Sequence, residues 1–160
     1  MNDSQFFLEV AEACARQSTC LRRHYGSVIV DPTTRQIIST GFNGNCIDIA
    51  HCDEIGDCPR NSLGIEQYSD YTLCFGIHSE ENALIQAGRK ANGCVLYLYG
   101  YDVVNKREIN PKPCFMCTKL LINARITTIF TRNHIYDPYD LYDAYAVEIM
   151  NKIKPSIFDP

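Results

Sequence analysis

The sequence has 160 residues, with 15 Lys plus Arg against 19 Asp plus Glu, for a formal net charge of −4. That length fits one domain with room for a small insertion, and a core of this size needs no covalent staples. Charged residues at 21% and hydrophobic ones at 46% exclude a disordered or collagen-like chain, and the acidic balance argues against DNA or RNA as the main partner.

Taken in chain order, the pattern predicts a helix over 4–17, where Phe6, Phe7, Val10, Ala11, Cys14 and Ala15 share one stripe behind an Asp3 or Ser4 cap. The β-branched run 25–30 predicts a strand, 31–35 a turn around Pro32, and 36–40 the returning hairpin strand. Periodicity then stops over 41–72, a stretch that holds Cys46, His51, Cys52 and Cys58. A segment that long without pattern calls for a function or a metal clip. Helix 79–88 follows, ending at Gly88, and then the nearly continuous apolar strand 94–99, as expected when both faces of a strand are covered. A second helix over 114–124 and a strand over 126–130 complete an αβαβ run. Beyond Pro138 the expectation is a short helix over 139–144 and a weak strand over 146–150. The sum is a three-layer α/β/α sandwich around a mixed five-stranded sheet, in a single domain covering 1–160 with a Cys-rich loop at about 42–76.

Nine Cys with no Trp is the unusual count. The first residues carry no basic side chain and no apolar run of about 7–15 follows, so no secretory signal is expected. No stretch approaches the roughly 18 apolar residues of a membrane span. The expectation is a cytoplasmic chain without membrane contact, where clustered thiols bind metal or do catalysis.

Two short patterns carry the chemistry. One is His78-Ser79-Glu80, the other Pro113-Cys114-Phe115-Met116-Cys117, and each stands where a helix begins. Two thiols three apart on a first helical turn point the same way, and an imidazole from a neighbouring helix completes a three-ligand Zn²⁺ site with a fourth position open to water. A helix N-terminus favours the thiolate form that binds metal. Glu80, two residues past His78, is free to take up a proton and deliver it to a leaving amine. Together these are the signature of zinc nucleobase deaminases. The competing account makes His78 a core histidine, Glu80 a solvated helix residue and Cys114/Cys117 a redox or structural pair.

Cys20, Cys52, Cys58 and Cys74 form a second set around the irregular segment, with His51 as an alternative ligand. They are either a structural Zn²⁺ site or ordinary buried thiols. Cys14 and Cys94 read as packing thiols, and Cys46 has no assignment. Arg22, Arg23 and His24 form the tight basic cluster, a receiver for a phosphate or a solvated strand edge. Asn43, before Gly44, offers a donor and an acceptor to a substrate, or simply makes a turn.

These motifs resemble the cytidine and deoxycytidylate deaminase superfamily, and most closely the deoxycytidylate (dCMP) deaminases. The likeness runs from Cys20 through Gly26-Ser27-Val28-Ile29-Val30, Thr40-Gly41-Phe42-Asn43-Gly44, His51-Cys52-Asp53-Glu54, Cys58 and Cys74 to His78-Ser79-Glu80-Glu81-Asn82-Ala83. The resemblance implies a zinc-dependent hydrolase converting dCMP to dUMP for thymidylate synthesis, with His78, Cys114 and Cys117 as catalytic zinc ligands and Glu80 as proton shuttle. It also implies Asn43 at the substrate, with Ser79 and Arg23 as further candidates there, and a structural zinc whose ligands include Cys20 and Cys52. A homo-oligomer, often a hexamer, and regulation by dCTP and dTTP go with the family. Ser79 stands where the family usually has Ala, and Cys46 and Asp48 stand where it has Pro and a nearby Gly. Segment 114–126 also resembles tRNA deaminases, which generally lack the Cys-rich loop. Deamination of another nucleotide (dCTP, a modified cytosine nucleotide or a purine) is the alternative.

Overall fold

The structure, a computed structural model, describes residues 3–66 and 69–158. Helix α1 (Asp3–Ala15) leads into the hairpin of β1 (Arg23–Val30) and β2 (Ile37–Phe42). The short strands β3 (Gly44–Asn45) and β4 (Gly76–Ile77) pair across the base of the Cys-rich segment. Between them lie two one-turn helices, α2 (Cys52–Ile55) and α3 (Pro59–Ser62). Helix α4 (Ser79–Ala87) then leads to β5 (Val95–Asp102) and β6 (Arg107–Ile109). Helix α5 (Phe115–Asn123), β7 (Thr128–Phe130), β8 (Ile135–Tyr136) and α6 (Pro138–Phe158) finish the chain.

The main sheet runs β2-β1-β5-β7-β8, mixed because β5 and β7 are parallel and the other neighbours antiparallel. The distal half of β5, from Gly100 to Asp102, pairs with β6 as a sixth strand, on the edge whose first half is taken by β7. Alternation along the central strands divides the core into two layers, as period-2 geometry requires. Val28, Val30, Val95, Tyr97 and Tyr99 face α1, meeting Phe7, Leu8, Ala11 and Ala15. Ile29, Leu96 and Leu98 face the other way, meeting Ala83 and Ala87 of α4, Leu121 of α5 and Leu141 of α6. This is the expected α/β/α sandwich.

Two glycines let helices lie directly on the sheet. A Cβ on Gly26 would sit 1.9 Å from the Ala11 carbonyl oxygen, and one on Gly41 would sit 2.2 Å from the Ser79 carbonyl oxygen. Backbone contact at Gly41 sets the height of α4, and with it the position of the residues at its N-terminus.

Three expectations need correction. The predicted short helix and weak strand beyond Pro138 are one continuous helix of 21 residues. Asp137 caps it, accepting from the Tyr139 amide at 2.7 Å, and the Tyr145 hydroxyl anchors it by donating to the Pro113 carbonyl at 2.7 Å. Val147 and Ile149, the residues that suggested a strand, lie on its exposed side. The irregular 41–72 segment contains local structure, α2 and α3, each only four residues and too short for periodicity to reveal. Helix α1 starts at Asp3, which puts its cap position outside the described residues.

Candidate active site

The N-termini of α4 and α5 meet at a cleft that is also lined by Arg23 and Tyr25 from the N-terminal half of β1. His78 is the N-cap of α4, held there as its backbone amide donates to the Glu81 carboxylate at 2.8 Å. Cys114 is the N-cap of α5, and its sulfur accepts from the Cys117 amide at 3.4 Å. His78 Nδ1 lies 3.5 Å from Cys114 Sγ and 3.3 Å from Cys117 Sγ, both thiols being buried. Among the described residues this is the one group of three or more His, Cys, Asp or Glu ligand atoms gathered within 4.8 Å of one another. With Zn–N of about 2.0–2.1 Å and Zn–S of about 2.3 Å at tetrahedral angles, N···S edges come out near 3.5 Å. The donor set and its spacing fit zinc.

The electrostatics fit as well. Burial works against a charged His78, but the hydrogen-bonded Cys114 and the nearby charges of Glu80, Cys114 and Glu81 outweigh it and raise the imidazole to about 9. The hydrogen bond with Cys117 lowers the Cys114 thiol to about 4 against the opposing effect of burial, with the hydrogen bond to His78 adding to it. Cys117 moves upward as the partner that keeps the proton. The Cys114 thiolate is the form that binds a metal ion, and a bound zinc would displace the protons held by His78 and Cys117. Glu80 is 6% exposed, and burial raises its carboxyl, opposed by the charge on His78.

A cleft opens in front of this group. His78, Glu80 and Cys114 line it, together with Tyr25, Asn43, Tyr71 and Phe75. All four thiols of the second set, Cys20, Cys52, Cys58 and Cys74, form another part of the wall. Burial and the charges of the other three raise the Cys52 thiol. His51 Nδ1 is taken by the Thr19 hydroxyl at 2.8 Å. Cys94 is buried and Cys14 half-buried, in the packing roles expected of them, and Cys46 is exposed.

The substrate candidates separate. Asn43 lines the cleft, yet its amide also ties β2 to β1, accepting from the Tyr25 amide and donating to the Arg23 carbonyl, both at 2.8 Å. Arg23 lines the cleft and is paired with the buried Asp102 at 3.1 Å. Ser79 is fully buried beneath the site; it donates to Glu80 Oε2 at 3.0 Å and shares a 2.8 Å hydrogen bond with Ser27. Sequence reasoning missed Arg60 and Tyr71. Arg60 lines the cleft with its guanidinium 4.5 Å from the Tyr71 ring centre, and Tyr71 meets the His78 ring edge-on at 4.7 Å. Arg60, two residues after Cys58, and Tyr71, three before Cys74, were the available signal.

A mixed α/β/α sandwich carrying a His/Cys/Cys centre at two helix N-termini defines a zinc-binding domain of the deaminase type. The chain belongs to the cytidine and deoxycytidylate deaminase zinc-binding family, whose model matches residues 1–132. It is 28% identical over 145 residues to a deoxycytidylate deaminase of Schizosaccharomyces pombe, covering 91% of this chain and 40% of that protein. To a deoxycytidylate deaminase of Saccharomyces cerevisiae it is 32% identical over 124 residues, covering 78% and 35%. The chain thus spans well under half the length of these two relatives. Its fold is that of dCMP deaminase from cyanophage S-TIM5 in apo form, with a TM-score of 0.58, 20% identity, and coverage of 88% of this chain and 90% of that one.

Proposed function

We propose that this chain is a single-domain, zinc-dependent hydrolase that deaminates dCMP to dUMP. The observation that carries the reading is the His78/Cys114/Cys117 group with the buried carboxylate of Glu80 beside it at the head of a cleft. The two fungal relatives supply the substrate.

His78, Cys114 and Cys117 would hold the catalytic zinc, which supplies a Lewis acid that makes water nucleophilic at neutral pH. Glu80 is placed to accept a proton from the attacking water, to deliver it to the ring nitrogen, and to carry a second one to the departing amine. The C4–O bond forms and the C4–N bond breaks, so water and dCMP become dUMP and ammonia. Burial of Glu80 keeps bulk water from competing for the proton. Ser79, anchored by Ser27, fixes the carboxylate by hydrogen-bonding Oε2. A Ser79→Ala variant is expected to lower kcat by about 3- to 10-fold with KM and zinc content retained, the scale of one lost hydrogen bond. Steady-state kinetics with metal analysis checks this, and an unchanged kcat would remove Ser79 from the mechanism.

Cys20, Cys52, Cys58 and Cys74 line one wall of the cleft, less closely gathered than the His78 group, and their proximity supports a second, structural zinc that would draw them together and pin the polar segment between β3 and β4. Two zinc ions per chain are expected by elemental analysis, falling to one in a Cys52→Ser variant that keeps the His78 site. A wild-type content of one would remove the structural metal.

The exposed apolar residues of α5 and α6, among them Met116, Leu120, Tyr142 and Met150, support a homo-oligomer, and a hexamer is favoured on the resemblance alone. Nine free thiols suit the reducing cytoplasm, and among the described residues no helix is long and apolar enough to cross a membrane. Control by dCTP and dTTP rests on the resemblance alone.

A further inference from the structure

Four cations line the cleft (Arg22, Arg23, Arg60 and Lys112), and among the described lining residues Glu80 is the one carboxylate. In a chain of net charge −4 such a concentration asks for an anion. Three of the four are engaged elsewhere. Arg22 Nη1 donates to the Ile65 carbonyl at 3.2 Å, Arg23 is paired with Asp102 at 3.1 Å, and the Lys112 ammonium lies 4.6 Å from the Tyr145 ring centre.

Arg60 is different. It is 6% exposed, the one buried Lys or Arg among the described residues. Its Nη2 donates to the Glu66 carbonyl, its guanidinium stacks on Tyr71, and the exposed Asp70 adds a longer-range attraction. Its Nε is buried without an acceptor among the described residues. A buried guanidinium normally satisfies its fork on a carboxylate or a phosphate, because the charge is costly to bury otherwise. The steps from guanidinium to Tyr71 and from Tyr71 to His78, 4.5 and 4.7 Å, keep Arg60 within about 9 Å of the imidazole. That is the reach of one nucleotide from base to phosphate.

We propose that Arg60 is the residue that recognises the 5′-phosphate of the substrate, and so makes this site select a pyrimidine nucleoside monophosphate over the nucleoside. The assignment rests on the deaminase reading for the base and on Arg60 alone for the phosphate. Tyr71 is the platform that aims the fork.

The test compares Arg60→Gln with wild type on dCMP and deoxycytidine, with zinc content and melting temperature measured alongside, and titrates 2-deoxyribose 5-phosphate by calorimetry. Loss of one charge-assisted bidentate contact predicts a 10- to 100-fold fall in kcat/KM for dCMP, carried by KM, with deoxycytidine changed by no more than about 2-fold. Equal losses on both substrates, or no loss on dCMP, would overturn the assignment. If wild type deaminates neither compound, the deaminase reading fails, while Arg60-dependent binding of the sugar phosphate still decides the inference. Should Arg60→Gln not retain its metal, Arg60→Lys serves. A point charge without the fork is expected to bind the sugar phosphate several-fold more weakly, and binding equal to wild type overturns the proposal.

Discussion

Replacing Glu80 with Gln is expected to lower kcat for dCMP by about 10²–10⁴-fold while leaving the zinc content at the wild-type level. The amide has nearly the volume of the carboxyl and can still accept the Ser79 hydrogen bond on its carbonyl oxygen, so the packing around α4 has no reason to change. It cannot take up a proton. Glu80 is not one of the three clustered ligands, so the metal group of His78, Cys114 and Cys117 stays complete. Metal analysis and single-turnover kinetics on the same preparation separate the cases. Turnover within tenfold of wild type would remove Glu80 as the proton carrier, and zinc lost together with activity would make it a support of the metal site.

The second large effect is expected at a residue that touches neither metal nor substrate. A methyl group on Gly41 would lie 2.2 Å from the Ser79 carbonyl oxygen, 2.6 Å from the Ala83 amide nitrogen and 3.1 Å from the Ala83 Cα. All three are backbone atoms, so no side chain can rotate away, and α4 itself must rise from β2. Overpacking of this kind costs about 1–3 kcal/mol, and for a domain of this length that corresponds to roughly 2–12 °C in melting temperature. The same movement carries His78 away from Cys114 and Cys117, whose 3.5 and 3.3 Å separations leave no slack for a tetrahedral ion. Zinc affinity in Gly41→Ala is therefore expected to fall about 10–100-fold, as for other losses of support behind a ligand. A competition titration with a chelator measures it. Wild-type affinity and stability together would show that α4 is not seated on Gly41.

Much of this molecule was legible in its sequence because its central elements follow simple periods. The apolar run 94–99 announced a strand covered on both faces, and β5 sends alternate residues into the two core layers. Local spacing placed His78 and the Cys114/Cys117 pair at helix starts, and a cap position is where a side chain can turn toward a neighbouring helix end. What was not legible depends on distant contacts. Val147 and Ile149 favour a strand by propensity, and only the anchoring of α6 through Leu141 and Tyr145 decides otherwise. Ser79 looked like a substrate contact beside Glu80. Its partner is Ser27, 52 positions away on β1, which draws it under the site. Arg60 was hidden because the Cys-rich segment must fold back before its side chain joins His78 and Tyr71 in lining the cleft.

The central claim is hydrolytic deamination of dCMP by a zinc centre built from His78, Cys114 and Cys117. The most direct measurement is ammonia release from dCMP by the purified chain as isolated, after zinc removal by a strong chelator, and after zinc is restored. The account predicts stoichiometric dUMP and ammonia, loss of turnover with the metal, and recovery on its return. Undiminished turnover by metal-free protein, or no deamination of dCMP by protein carrying its full zinc, would contradict it.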